Sequence, residues 1–109
     1  MPSKQNLGKA FRAVRQAACL SQDDFSFASS RTFVSVIERG IKSPTIEKLS
    51  QLSLVMNSDP AVVVLLATLL ERRGGDPAEE LHRVVEAVEA LYSSRRAVAK
   101  VVRTPRKPS

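Results

Sequence analysis

Between Gln5 and Ala18 the apolar residues Leu7, Ala10, Phe11, Val14 and Ala18 recur at intervals of three and four, with Lys9, Arg12, Arg15 and Gln16 elsewhere on the cylinder. Such spacing predicts an amphipathic helix that turns one stripe to a core. Ser21 ahead of Gln22, Asp23 and Asp24 sets an acceptor and two carboxylates where a helix exposes unpaired N–H groups, and opens a second helix. Phe25 and Ala28 continue it, Ser29 and Ser30 interrupt it, and Val34 and Ile37 carry a third helix to Gly40. Pro44 biases Ser43 away from helix, and Thr45 can cap a fourth, lined by Ile46, Leu49, Leu52 and Val55 or Met56 and ending near Asn57. Ser58 or Asp59 caps a fifth, with Pro60 in its first turn and the apolar run Ala61 to Leu70 behind it. The pattern contains no strand alternation, so the expected fold class is all-α.

Gly74-Gly75 breaks this periodicity and Asp76-Pro77-Ala78-Glu79 restarts it, with a cap, a proline at the first helical position and an acid three after the cap. Leu81, Val84, Val88, Leu91, Val98 and Val102 follow on alternating three-four spacing, with Arg95 where one further member is expected. A seam of this kind is what two helices bury between subunits, and dimerisation is its assigned role. The same stripe also fits packing on the chain's own fifth helix, and Ser93-Ser94 with Arg95-Arg96 marks a candidate break. The expected organisation is a domain over 5–73, a C-terminal helix over 76–102 and a basic, disordered tail over 103–109. That tail either adds phosphate contacts or only solubilises the chain.

Charge sharpens the division. The formal net charge is +6, and residues 1–48 carry eight basic and four acidic side chains, 49–94 three and seven, and 95–109 six and none. Basic ends around an acidic middle fit a molecule that meets phosphate with some surfaces and something else with another. One Cys and one His exclude a four-ligand metal site and an internal disulfide. No metal and no cofactor are expected, and the default setting is reducing and cytoplasmic. The run Ala61 to Leu70 is about half of what a membrane span needs, and the N-terminus has no apolar signal core, so no membrane partner is expected.

The third helix exposes Arg31, Thr32, Ser35, Val36 and Arg39 opposite Val34 and Ile37, a mixture of hydrogen-bonding and small apolar groups suited to a DNA groove. Around it stand Leu20-Ser21-Gln22 and Glu38-Arg39-Gly40, with Leu7-Gly8, Arg12 and Arg15 upstream and Ser43-Pro44-Thr45 downstream. This set resembles the Cro/C1 (XRE) family of helix-turn-helix transcriptional regulators over roughly residues 5 to 70. The resemblance implies a five-helix, lambda-repressor-like DNA-binding domain, with Arg15 paired to Glu38. It further implies phosphate contacts from Gln22 and from Lys42, Ser43 and Thr45. Two departures stand out. The span from Ser21 to Gly40 is about two residues shorter than the common family spacing, a shortening expected at the turn, and Cys19 sits where a helix-ending glycine is usual.

The resulting expectation is a sequence-specific regulator, most simply a repressor, that binds double-stranded palindromic DNA as a homodimer in the nucleoid. Arg31 is the guanine reader, Thr32 and Val36 meet thymine methyls or base edges, Ser30 and Ser35 add contacts, and Arg39 reaches a base or a phosphate. Regulation is expected through concentration, dimerisation or a protein partner. The alternative is an antitoxin or other interaction module that holds a partner along the C-terminal helix. Catalysis is not expected: His82 has no nucleophile nearby in sequence, and Cys19 with Arg15 one turn away reads as a structural helix-end residue.

Overall fold

The computed structural model describes residues 2–72 and 74–94. Its elements are α1 (Lys4–Ala17), a 3-10 turn (Gln22–Phe25), α2 (Arg31–Glu38), α3 (Ile46–Val55), α4 (Pro60–Glu71) and α5 (Pro77–Ser93), with no strand among the described residues. The chain divides into two compact units, Met1–Gly74 and Gly75–Ser109.

Local chemistry sets the helix starts. The side chains of Ser3, Ser30, Thr45, Asp59 and Asp76 each accept a backbone N–H from the first turn of the helix that follows. Each satisfies one of the donors that a helix start leaves open, for about 1 kcal/mol. The first helix therefore begins one residue before the Gln5 at which its apolar spacing starts, with Ser3 as its cap.

Three helices end alike. After α1, Cys19 N–H reaches Gln16 O and Leu20 N–H reaches Arg15 O; after α2, Gly40 reaches Ile37 and Ile41 reaches Val36; after α3, Asn57 reaches Leu54 and Ser58 reaches Ser53. This paired closure needs one residue with positive φ. Gly40 (75°) supplies it freely and Asn57 (52°) tolerates it. Cys19 (59°) has a Cβ and no such tolerance, so this helix end, where a glycine is usual, is closed with strain. Cys19→Gly is accordingly expected to raise stability by about 0.5–1 kcal/mol, the strain relieved less the added freedom of the unfolded chain. A thermal melt of the full chain should move up by several degrees.

The second helix is the main correction. Its place is taken by a single 3-10 turn, Gln22–Phe25, after which the Phe25 carbonyl accepts from both Ala28 N–H (2.9 Å) and Ser29 N–H (2.8 Å) and closes the run. The reason lies in which phenylalanine is inside. Phe25 is fully buried, with its ring centroid 5.6 Å from that of Phe11, while Phe27 is wholly exposed. A continued helix would need an apolar residue three or four past Phe25 with a long side chain, and Ala28 and Ser29 offer none. The domain thus holds four α-helices and a 3-10 turn.

Leu7, Ala10, Phe11, Phe25, Val34, Ile37, Leu49, Leu52, Met56, Val63 and Ala67 form the core. Ile46, expected inside, is 73% exposed at the first position of α3. Ser53 is buried with its hydroxyl unpaired, a cost of about 1–3 kcal/mol. The ends of α1 and α4 are clasped by Glu71, which accepts from Ser3 Oγ (3.0 Å) and from the Asn6 side-chain amide. Asn6 first, then Ser3, holds the Glu71 carboxyl below the ordinary carboxylate range. A folded pKa below the unfolded one gives stability that is present above the unfolded value, about 4.3, and lost as pH falls through the lowered one. Glu71→Gln should therefore lower Tm at neutral pH and change it little at acid pH, where the carboxyl is already protonated, so that the acid limb of a Tm-versus-pH profile flattens.

Candidate nucleic-acid interface

α2 is held by its buried side and displayed by the other. Val34 and Ile37 are fully buried and Phe33 is half-buried. On the far side Arg31, Thr32 and Arg39 are exposed, with Ser35 and Val36 half-buried between them. Ser30 Oγ accepts from Phe33 N–H (3.1 Å) as the cap, which leaves its own O–H free to donate. Arg39 Nε lies 3.4 Å from Ser35 O.

Beyond α2, Lys42, Ser43 and Thr45 are all exposed, while Pro44 between them is buried and anchors the loop. Thr45 Oγ1 caps α3 by accepting from Lys48 N–H (3.0 Å). The structure brings α2 and this loop onto adjoining stretches of one unit.

Behind the display sits a polar tether. Arg15 of α1 grips Glu38 at the end of α2 by Nε–H to Oε2 (2.6 Å) and Nη2–H to Oε1 (2.9 Å), and its Nη1–H donates to Leu20 O (2.8 Å). The pairing implied by the resemblance is present and nearly dry, with side chains 11% and 4% exposed. The hydrogen bonds to Glu38 raise the Arg15 pKa against the opposing effect of burial. Gln22 Nε2–H donates to Glu38 Oε1 (3.1 Å), so the amide assigned to phosphate is engaged internally by one of its protons. α1 passes close to this end of α2 at Gly8, where a Cβ would stand 2.3 Å from Ile37 O.

Two features escape sequence reasoning. Lys48 Nζ donates to Ala28 O (2.9 Å) and lies 5.8 Å over the Phe33 ring, which ties α3 to the turn ahead of α2. Asp23 lies 3.7 Å from Arg31 Nη1. Both pairs are distant in sequence and on different elements, and no local signal announces them.

In the second unit no residue of α5 is buried. Leu81, Val88 and Leu91 of the seam are exposed and Val84 is half-buried, while Val85 and Tyr92 are exposed besides. Ser94 is extended after α5. Val98, Val102 and the tail 103–109 lie outside the described residues.

No single helix among the described residues is long and apolar enough to cross a membrane. No curated protein and no solved structure gave a match to the chain. A helix-turn-helix family model does match, over residues 11–63, which takes in the tether, the 3-10 turn, α2, the loop and α3. With that match on the displayed helix, residues 11–63 are a helix-turn-helix domain of the Cro/C1 (XRE) type, which supports a DNA-binding regulator.

Proposed function

We propose that the chain is a repressor that binds a palindromic operator as a homodimer, each subunit setting α2 in a major groove. The observation that carries this reading is the exposed face of α2, Arg31, Thr32 and Arg39 with Ser35 and Val36, beside the exposed Lys42, Ser43 and Thr45. Arg31 reads guanine through O6 and N7, Thr32 and Val36 meet thymine methyls, and Ser30 and Ser35 add hydrogen bonds. Arg39 reaches a base or phosphate. Lys42, Ser43 and Thr45 fix the register on the backbone, and Gln22 joins them with its second amide proton. The apolar stripe of α5, exposed at Leu81, Val88 and Leu91, supports pairing with a second copy, and two subunits match two half-sites. A dimer so placed over a promoter occludes it and acts from the nucleoid.

The test is binding to the duplex recovered by selection from a random pool, compared with a scrambled duplex across salt concentrations. Arg31→Ala is expected to relax specificity at one base pair by about 1–3 kcal/mol. Lys42→Ala should weaken both duplexes alike and flatten the salt dependence by about one unit of slope. Equal losses on both duplexes for Arg31→Ala would remove its assignment.

The exposed α5 stripe also supports a second reading, in which the helix holds a different protein, as an antitoxin does. Sedimentation of the purified chain separates the two, because a homodimer forms without any partner.

A further inference from the structure

Arg31 stands at the first position of α2, where the helix exposes unpaired N–H groups and a positive side chain is unfavourable. What faces it is Asp23 of the 3-10 turn, 3.7 Å from Nη1, with both side chains about two-thirds exposed at 68% and 69%. The neighbouring Asp24 is otherwise occupied, since its Oδ2 accepts from Ser21 N–H (2.7 Å). The two acids therefore differ in role: Asp24 closes the turn and Asp23 reaches across it.

We propose that Asp23 is a positioning residue that sets the DNA specificity of this chain: it holds Arg31 by one edge and keeps phosphate from satisfying the same guanidinium. The proposal rests on Arg31 acting as the guanine reader. A guanidinium has five donors in a planar fork. With Nη1 turned to a carboxylate, the remaining edge is presented in one orientation, which suits the paired acceptors O6 and N7 of guanine. On a sequence without guanine at that place, the same carboxylate competes with phosphate for the guanidinium and repels the backbone charge. It opposes non-specific binding, which is almost wholly electrostatic. A contact that repels the wrong site raises discrimination even when it adds nothing to the right one.

The experiment uses the full chain and the isosteric substitution Asp23→Asn, with the selected duplex and a scrambled duplex of equal length as probes. An exposed ion pair contributes little to folding, so the thermal melt should not move. Binding to the scrambled duplex is expected to tighten by about threefold to tenfold as one repelling charge is removed. Binding to the selected duplex gains less or weakens, so the ratio of the two affinities falls. Placed on Arg31→Ala, the substitution should leave the ratio where Arg31→Ala alone puts it, because the group it orients is gone. Equal tightening on both duplexes would reduce Asp23 to a generic surface charge and overturn the proposal while Arg31 kept its role. An Arg31→Ala variant that weakens both duplexes equally would remove the guanine reader and this proposal together.

Discussion

Glu38→Ala is expected to destabilise the N-terminal domain by about 3–5 kcal/mol, because it leaves a buried guanidinium without its carboxylate. Arg15 makes two hydrogen bonds to Glu38 and one to Leu20 O, and its side chain is only 11% exposed. Water cannot replace the lost partner without opening the joint between α1 and the end of α2. Arg15→Lys should also be costly, since one ammonium cannot reproduce the two-pronged contact. Replacing both partners, as Arg15→Met with Glu38→Leu, removes the buried charges together and should recover much of the loss. Urea denaturation of the full chain followed through the double-mutant cycle measures each step. A Glu38→Ala variant within 1 kcal/mol of the parent would mean that the pair is solvated in solution. DNA binding should suffer beyond the change in folding, because Gln22 Nε2 leans on the same carboxylate and would lose its anchor.

The substitution Gly8→Ala should be nearly as damaging, against the usual preference of helices for alanine over glycine, worth about 1 kcal/mol. The added methyl carbon would meet Ile37 O at 2.3 Å and Glu38 O at 2.9 Å. Both are backbone atoms, so no side chain can swing away. Relief requires α1 to move off α2, which loosens the packing of Leu7 and Phe11 and lengthens the Arg15–Glu38 bonds. A loss of about 2–3 kcal/mol is expected, the upper range for overpacking. Gly75→Ala is the control, since nothing lies within 4 Å of the position. A Gly8→Ala chain that unfolds at the same urea concentration as the Gly75→Ala chain would contradict the close approach.

What was legible in the sequence was mostly local. The caps at Thr45 and Asp76 and the proline start of α4 can be read because each depends on residues within one turn of each other. The Leu7, Phe11, Val34 and Ile37 core positions follow from helical spacing alone. Arg15 with Glu38 is 23 residues apart in sequence and came only from the family resemblance, not from spacing. The 3-10 turn was not legible, because spacing alone does not choose which of Phe25 and Phe27 goes inside, and the packing of Phe25 on Phe11 decides it. Ile46 misleads for a related reason: its spacing fits the stripe of α3, yet the first turn of that helix projects past the core. At the interface, the exposed positions on α2 follow from the buried ones, whereas Asp23 facing Arg31 depends on how the 3-10 turn folds back on the start of α2.

The proposed function requires α2 to read a defined sequence, and genomic footprinting of the tagged full chain tests it. Sharp inverted repeats are predicted, with half-site centres about 10–10.5 base pairs apart or a multiple of that, as two copies of α2 on one face of the duplex require. Diffuse occupancy without a shared motif would contradict the account and reduce α2 to a non-specific phosphate contact.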